Sequence, residues 1–257
     1  MDITSLQNPR IKQLVKLRDR RVRDREEVIL VEGRYEIEIA HSSGLVPRTL
    51  YLSPELAGGA NLGVKAGEVL AVSKAVFQKI SYRDNPDGYL AVFPMPHPEL
   101  ESITLSEPPF VIVAEAIEKP GNLGAILRTA DAAGVDALIV SDPRTDVYNP
   151  NVIRASRGTV FTVPVVQASN GKTLEWLRSN GIVVLAATPS TTKSYTDADL
   201  SQPIALALGT EDEGLSDFWL ESADEKVLIP MAGKVNSLNV SVSAAILAYE
   251  VVRQRRK

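Results

Sequence analysis

Apolar and polar positions alternate in two different ways along this chain. Near the N-terminus, Asn8-Pro9 is a helix start, Asn as N-cap and Pro at the first helical position, and Ile11, Leu14, Val15 and Leu17 fall on one stripe of a short basic helix. Apolar runs then predict strands over 27–32, 49–52, 68–72 and 89–93. Between them lie a helix over 34–42 that ends near Gly44 and another capped by Ser73. These elements make a small α/β unit, too short for the larger kind of cofactor-binding sheet. Pro94, Pro96, Pro98, Pro108 and Pro109 then bracket a polar stretch that reads as a semi-rigid linker.

Beyond the prolines the strands read differently. The runs 110–114, 137–140, 182–186, 204–208 and 227–229 are continuously apolar, as strands buried on both faces must be. They predict a mainly parallel sheet with helices on either side. A last helix over 239–255 carries apolar residues at Val240, Ala244, Leu247, Ala248 and Val251. The expected organisation is a first domain over 1–95, a linker over 96–109 and a larger α/β domain over 110–257.

Composition narrows the chemistry. The 257 residues include no cysteine, and His41 and His97 are the only imidazoles. Disulfides, thiolate metal sites and cysteine nucleophiles are excluded, and no metal is expected. No apolar run reaches the roughly 18 residues of a membrane span, and no signal segment opens the chain, so a soluble cytoplasmic protein without a membrane partner is expected. The formal net charge is −4. Its distribution is uneven: Arg10, Lys12, Lys16, Arg18, Arg20, Arg21, Arg23 and Arg25 are opposed only by Asp19 and Asp24, and the chain ends Arg253, Arg255, Arg256, Lys257. Such clusters suit phosphate contacts or a solvated helix face, and charge alone does not choose.

Three runs carry the candidate chemistry. The second and third, 206–216 and 229–242, begin where apolar strands stop, which is where open parallel sheets bind ligands. Gly209, Gly214 and Gly233 let the backbone turn and approach a ligand, and Pro230 fixes a turn while removing a donor. Ser237, Asn239, Ser241 and Ser243 open the last helix; Ser237 and Asn239 are placed to hold a substrate hydroxyl or a neighbouring carboxylate. The first run, 118–130, lacks both the dinucleotide fingerprint and the phosphate loop. In it Asn122 is expected as a helix N-cap. Arg128 follows amid Ala125, Ile126, Leu127 and Ala130, where a cation needs a carboxylate such as Glu211 or an incoming anion. Glu211 is itself a proton acceptor, or else holds its loop or orients Arg128.

In order, internal spacing and position, the three runs resemble the motifs of the SpoU family of RNA ribose 2′-O-methyltransferases. The resemblance implies a SPOUT-type α/β domain with a trefoil knot, S-adenosylmethionine bound in bent form among the knotted loops, and a homodimer whose active sites draw on both protomers. It makes Asn122, Arg128, Glu211, Ser237 and Asn239 the functional polar residues, with Arg128 activating the hydroxyl. Gly209, Ile229 and Leu238 match cofactor-contacting positions, and Leu208 and Thr188 are grouped with them. A ribose hydroxyl is a weak nucleophile, so an arginine that stays protonated would act by charge or by gripping phosphate.

The segment Ile3-Thr4-Ser5-Leu6-Gln7-Asn8-Pro9-Arg10 with Val31-Glu32-Gly33 resembles a ribosomal-protein-like RNA-binding extension of these enzymes. Arg10, Arg18, Arg20, Arg21 and Arg23, with Arg154 and Arg157, are therefore expected to contact RNA. Ribosomal RNA of the large subunit is the favoured substrate. Transfer RNA, self-protection against a ribosome-binding antibiotic, and a non-catalytic RNA-binding or assembly factor are the alternatives.

Overall fold

The computed structural model describes residues 2–59 and 62–256. In chain order they form α1 (Pro9–Lys16), α2 (Arg20–Glu26), β1 (Val28–Glu32), α3 (Arg34–Ser42), β2 (Thr49–Leu52), α4 (Pro54–Ala57), β3 (Glu68–Ala71), α5 (Lys74–Ile80) and β4 (Tyr89–Pro94). There follow β5 (Phe110–Glu115), α6 (Pro120–Ala133), β6 (Ala137–Ser141), α7 (Pro150–Ala155), β7 (Val165–Ala168) and α8 (Asn170–Ser179). The last are β8 (Val183–Ala187), β9 (Ile204–Leu208), α9 (Asp217–Ser222), β10 (Glu225–Val227) and α10 (Val240–Arg255). Contacts group the chain into two units: residues up to Pro96 with Asp146–Thr162, and His97–Thr145 with the residues from Val163 onward.

In the first unit the sheet order is β1-β4-β2-β3, antiparallel except for the β2–β3 pair. Ile11, Leu14 and Leu17 of the predicted stripe pack with Val28, Leu30, Val76, Phe77 and Leu90 in its core. Asn8 caps α1 as expected, its side chain accepting from Arg10 N at 2.9 Å. The basic segment is two helices, because the Asp19 side chain takes the Arg21 amide at 2.9 Å and starts α2 afresh.

Arg23 corrects the sequence reading. It is 2% exposed, and its guanidinium donates to the carbonyls of Leu17 (2.8 Å) and Arg18 (2.9 Å) and to Asp146 Oδ2 (2.5 Å). It falls on the inner face of α2 and is spent inside the protein, so it is no RNA contact. The segment 146–162 supplies that aspartate, then α7 and a short 3₁₀ turn over Thr159–Phe161.

In the second unit six parallel strands run in the order β10-β8-β9-β5-β6-β7, as the continuous apolar runs require. Val111, Val113, Ile139, Val184, Ala205 and Trp219 share one core, and α6 packs against α10. The pattern missed β7, a short edge strand in which Gln167 is exposed. It also set the last strand two residues late: Leu228 leaves the β8 ladder to bridge Ser194, its N–H donating to Lys193 O at 2.9 Å, and Ile229 is followed by Pro230, which has no N–H to give. The proline-bracketed stretch is anchored, with Leu100 buried in this core and Ile103 and Leu105 against it. The basic C-terminus is mostly internal in its bonding. Arg255 donates to the carbonyls of Pro108, Pro109 and Gln202, each at 2.8 Å, and Arg253 pairs with Glu250 at 2.6 Å; Lys257 lies outside the described residues. Among the described residues no helix is long and apolar enough to cross a membrane.

The buried ion pair has a measurable consequence. Arg23→Ala strands the Asp146 carboxylate, and removing one partner of such a pair costs about 3 kcal/mol. Thermal unfolding of the variant should begin well below that of the wild type; an unchanged transition would mean that Arg23 contributes no more than a surface residue.

Candidate active site

A cavity of about 470 Å³ opens beyond the carboxyl ends of β8, β9 and β10, within the size range of small-molecule sites. Thr188, Leu208, Gly209, Ile229 and Leu238 all line it, as does Ser237. Leu215, Leu220, Met231 and Val240 add apolar wall, suited to an aromatic base, while Glu211, Asp212 and Glu213 make an acidic rim suited to a cationic group. Gly209 is fixed by sterics: a Cβ there would overlap the Gly214 carbonyl group. The loop closes on itself at this point, Thr210 N donating to Gly214 O at 2.9 Å and Gly214 N to Thr210 O at 3.2 Å.

The far end of the loop is held by a group that sequence reasoning passed over. Glu115, at the end of β5 and 5% exposed, accepts from Ser216 N (2.8 Å), Ser216 Oγ (2.6 Å) and Asn170 Nδ2 (2.8 Å). Asn170 Oδ1 in turn accepts from Trp219 Nε1 at 2.8 Å. A carboxylate closing an otherwise apolar strand was the available signal, since buried charge demands such partners.

Beside the cavity, the Glu211 carboxylate accepts from Lys119 Nζ and from Asn239 Nδ2. Asn239 Nδ2 also donates to Asn122 Oδ1 at 3.1 Å, and Asn239 Oδ1 accepts from Ser241 N (3.0 Å) and Ser241 Oγ (2.6 Å). Both amide hydrogens and the carbonyl oxygen are thus engaged, so Asn239 caps α10 and holds a carboxylate. Asn122 is in the first turn of α6 and not its N-cap; Pro120 takes the first helical position and makes Lys119 the cap. Lys119 has no acceptor for the helix amides, and its ammonium reaches Glu211 instead.

Arg128 differs from expectation. Leu123, Ile126, Leu127 and Ala130 carry the buried stripe of α6, and Arg128 lies off it, exposed. The expected burial cost does not arise, Glu211 pairs with Lys119 in its place, and Arg128 does not line the cavity. Ser237 is exposed, its hydroxyl 3.5 Å from Asn236 Oδ1.

The remaining predicted RNA contacts lie on the first unit. Arg10 pairs with Glu68 at 2.6 Å, Arg20 with Asp24 at 3.4 Å, and Arg21 is exposed. Arg18 donates to Lys79 O (2.9 Å) and Ser81 O (2.8 Å) with its guanidinium 5.3 Å from the Tyr82 ring centre. Arg154 and Arg157 are exposed and share a cleft.

Residues 109–249 match the SpoU rRNA Methylase family, and residues 8–91 match an MRM3-like substrate binding domain. A Streptomyces viridochromogenes protein named as a 23S rRNA (uridine(2479)-2′-O)-methyltransferase is 34% identical across 93% of this chain and 87% of its own. A crystal structure described as an RNA 2′-O ribose methyltransferase is 44% identical, with a TM-score of 0.87 covering 99% of both chains. The AdoMet-bound structure of an rRNA methyltransferase from Sinorhizobium meliloti is 30% identical, with a TM-score of 0.89 covering 100% of this chain and 99% of that one.

The Glu211 carboxyl titrates below its ordinary value of 4.5, chiefly through the Lys119 hydrogen bond and then that of Asn122. A lowered folded value means that its stabilisation is complete above pH 4.5 and is lost as pH falls through the lowered value. Amide protection in the 210–214 loop of the wild type, taken relative to the intrinsic exchange rate at each pH, should therefore fall only on such acidification. Glu211→Gln should show faster exchange at neutral pH and no acid step. Equal exchange in the two proteins at neutral pH would show that the Gly209–Gly214 closure alone orders the loop.

Proposed function

Because the chain belongs to the SpoU rRNA methylase family, we propose that it transfers a methyl group from S-adenosylmethionine to a ribose 2′-hydroxyl of RNA, with large-subunit ribosomal RNA as substrate. The observation that carries this reading is the cavity at the strand ends, lined by every residue that the family motifs assign to the cofactor. When bound, S-adenosylmethionine supplies an electrophilic methyl on a sulfonium. The chain's own part is to hold that group, to orient the hydroxyl and to stabilise the oxygen as its proton leaves. Apolar walls from Leu208, Ile229 and Leu238 exclude water, and the acidic rim favours the cofactor's positive charge. Glu211, kept ionised and doubly engaged, is a weak base in this state. Its role is to fix Asn122 and Asn239 between α6 and α10.

Arg128 then supplies charge to the developing alkoxide, or grips the adjacent phosphate, from outside its own protomer's cavity. That assignment requires a homodimer. Support comes from α10, whose outer face leaves Val242 (45%) and Tyr249 (51%) exposed two turns apart, an apolar strip that a second copy would cover. The trefoil knot implied by the family belongs to the same reading.

The reaction is tested by incubating the protein and methyl-labelled S-adenosylmethionine with ribosomal RNA and with transfer RNA, then mapping the methylated riboses. Label at one ribose of large-subunit RNA is expected; label only in transfer RNA would overturn the substrate, and none in either would overturn the reaction. The division of labour is tested by co-refolding Arg128→Ala with Gly209→Ala protomers. If Arg128 serves its partner's cavity, mixed dimers regain activity that neither parent has; no recovery in a confirmed mixed dimer would return Arg128 to its own site.

A further inference from the structure

We propose that the cleft between α3 and the 154–157 turn of the first unit is a recognition site for a single-stranded RNA nucleotide, in which a base stacks on the Tyr35–Arg157 pair and its phosphates meet Arg154. The proposal rests on the RNA-substrate reading above and specifies where that RNA is held away from the cavity.

The cleft has a volume of about 530 Å³, and Tyr35, Arg34, Arg83, Arg154 and Arg157 line it together with three carboxylates. Tyr35 is 50% exposed, and the Arg157 guanidinium lies 5.1 Å from its ring centre. Bases unstacked from single strands are held on aromatic rings and on guanidinium planes, and this pair offers both. Its geometry is imposed by the backbone. Arg157 adopts φ 53°, a region residues with a Cβ avoid, and Gly158 follows at φ 83° with Ile39 of α3 only 3.3 Å from where its Cβ would be. A left-handed non-glycine residue persists only where its surroundings fix it, and such positions cluster at binding sites. Here Arg157 is the strained residue, and with Gly158 after it the turn is pressed onto α3 and Arg157 is carried over Tyr35.

The charges are sorted as an RNA site needs. The carboxylates of the cleft are engaged locally: Glu38 with Arg34 at 2.8 Å, Glu36 with Arg83 at 3.0 Å, and Asp87 with the Arg34 amide at 2.7 Å. Among the described residues Arg154 and Arg157 are in no salt bridge. Arg154 is left for phosphate, and Arg157 is left to share the stacking face with Tyr35. Gly33, of the Val31-Glu32-Gly33 motif, makes room for this arrangement, because a Cβ there would overlap the Arg83 guanidinium and the Glu36 carboxylate.

The test measures binding of a fluorescein-labelled, mixed-sequence single-stranded RNA of roughly twelve nucleotides, alongside S-adenosylmethionine affinity and methylation of ribosomal RNA. Tyr35→Ala should weaken RNA binding about tenfold, and Tyr35→Phe should keep it, because stacking needs the ring and not the hydroxyl. Arg154→Gln should lower the slope of log affinity against log salt by about one phosphate contact. Both should raise KM for ribosomal RNA with kcat and cofactor affinity unchanged, and both should fold, since the two side chains are exposed. Wild-type RNA affinity and KM in Tyr35→Ala, with methylation intact, would overturn the cleft and leave the reaction standing. Weakened RNA binding in Tyr35→Ala, with no methyl transfer by the wild type, would support the cleft and overturn the reaction. A cleft that binds a ribosomal protein and not the RNA would overturn the proposal as well.

Discussion

The cavity depends on one close approach, the passage of the Gly214 carbonyl over Gly209. With no side chain at 209 the loop folds back at once, so Glu211 projects toward α6 and α10 while the Leu208 and Leu215 side chains reach the cavity. Two anchors set this turn in place. At one end Glu211 is tied to Lys119 and Asn239; at the other Ser216 is tied to the buried Glu115. Together they keep a polar loop rigid beside an apolar pocket, which is the preorganisation that methyl transfer to a poor nucleophile requires.

What was legible in the sequence follows from how local each signal is. Continuous apolar runs gave the parallel sheet because burial on both faces leaves no polar alternation, and Asn8-Pro9 gave the start of α1 because a cap is a short-range device. The motif glycines and the strand ends located the cavity for the same reason. Partnerships across the fold were not legible. Glu115 with Ser216, Arg23 with Asp146 and Lys119 with Glu211 join residues far apart in the chain, and no spacing rule encodes them. The buried position expected for Arg128 came from its sequence neighbours, but burial on a helix is set by its stripe, which passes through 123, 126, 127 and 130.

Charge needs the same distinction between presence and availability. Counted along the sequence, the basic N-terminal segment and the C-terminus look alike as phosphate-binding clusters. In the fold, Arg23 and Arg255 are spent on internal carbonyls and an aspartate, and Arg253 is paired with Glu250. The arginines left facing solvent without an acidic partner are fewer, among them Arg21, Arg154 and Arg157. A chain with a formal net charge of −4 can still offer RNA a positive surface, because the sum over all residues says little about the few that reach a phosphate.

The segment 146–162 bears on what counts as a domain here. It lies between β6 and β7 in the chain and within the region that matches the methylase family, yet its contacts group it with the first unit. It gives that unit the carboxylate that neutralises Arg23, and the two arginines of the cleft against α3. A cut at the proline stretch would therefore leave the N-terminal residues with a buried guanidinium lacking its anion and without Arg154 and Arg157 of the cleft. Burying an uncompensated charge is among the costlier single defects a small fold can carry. The first unit is thus finished by chain that arrives only after β5 and β6 of the other sheet, which ties completion of that unit to synthesis of the methylase region.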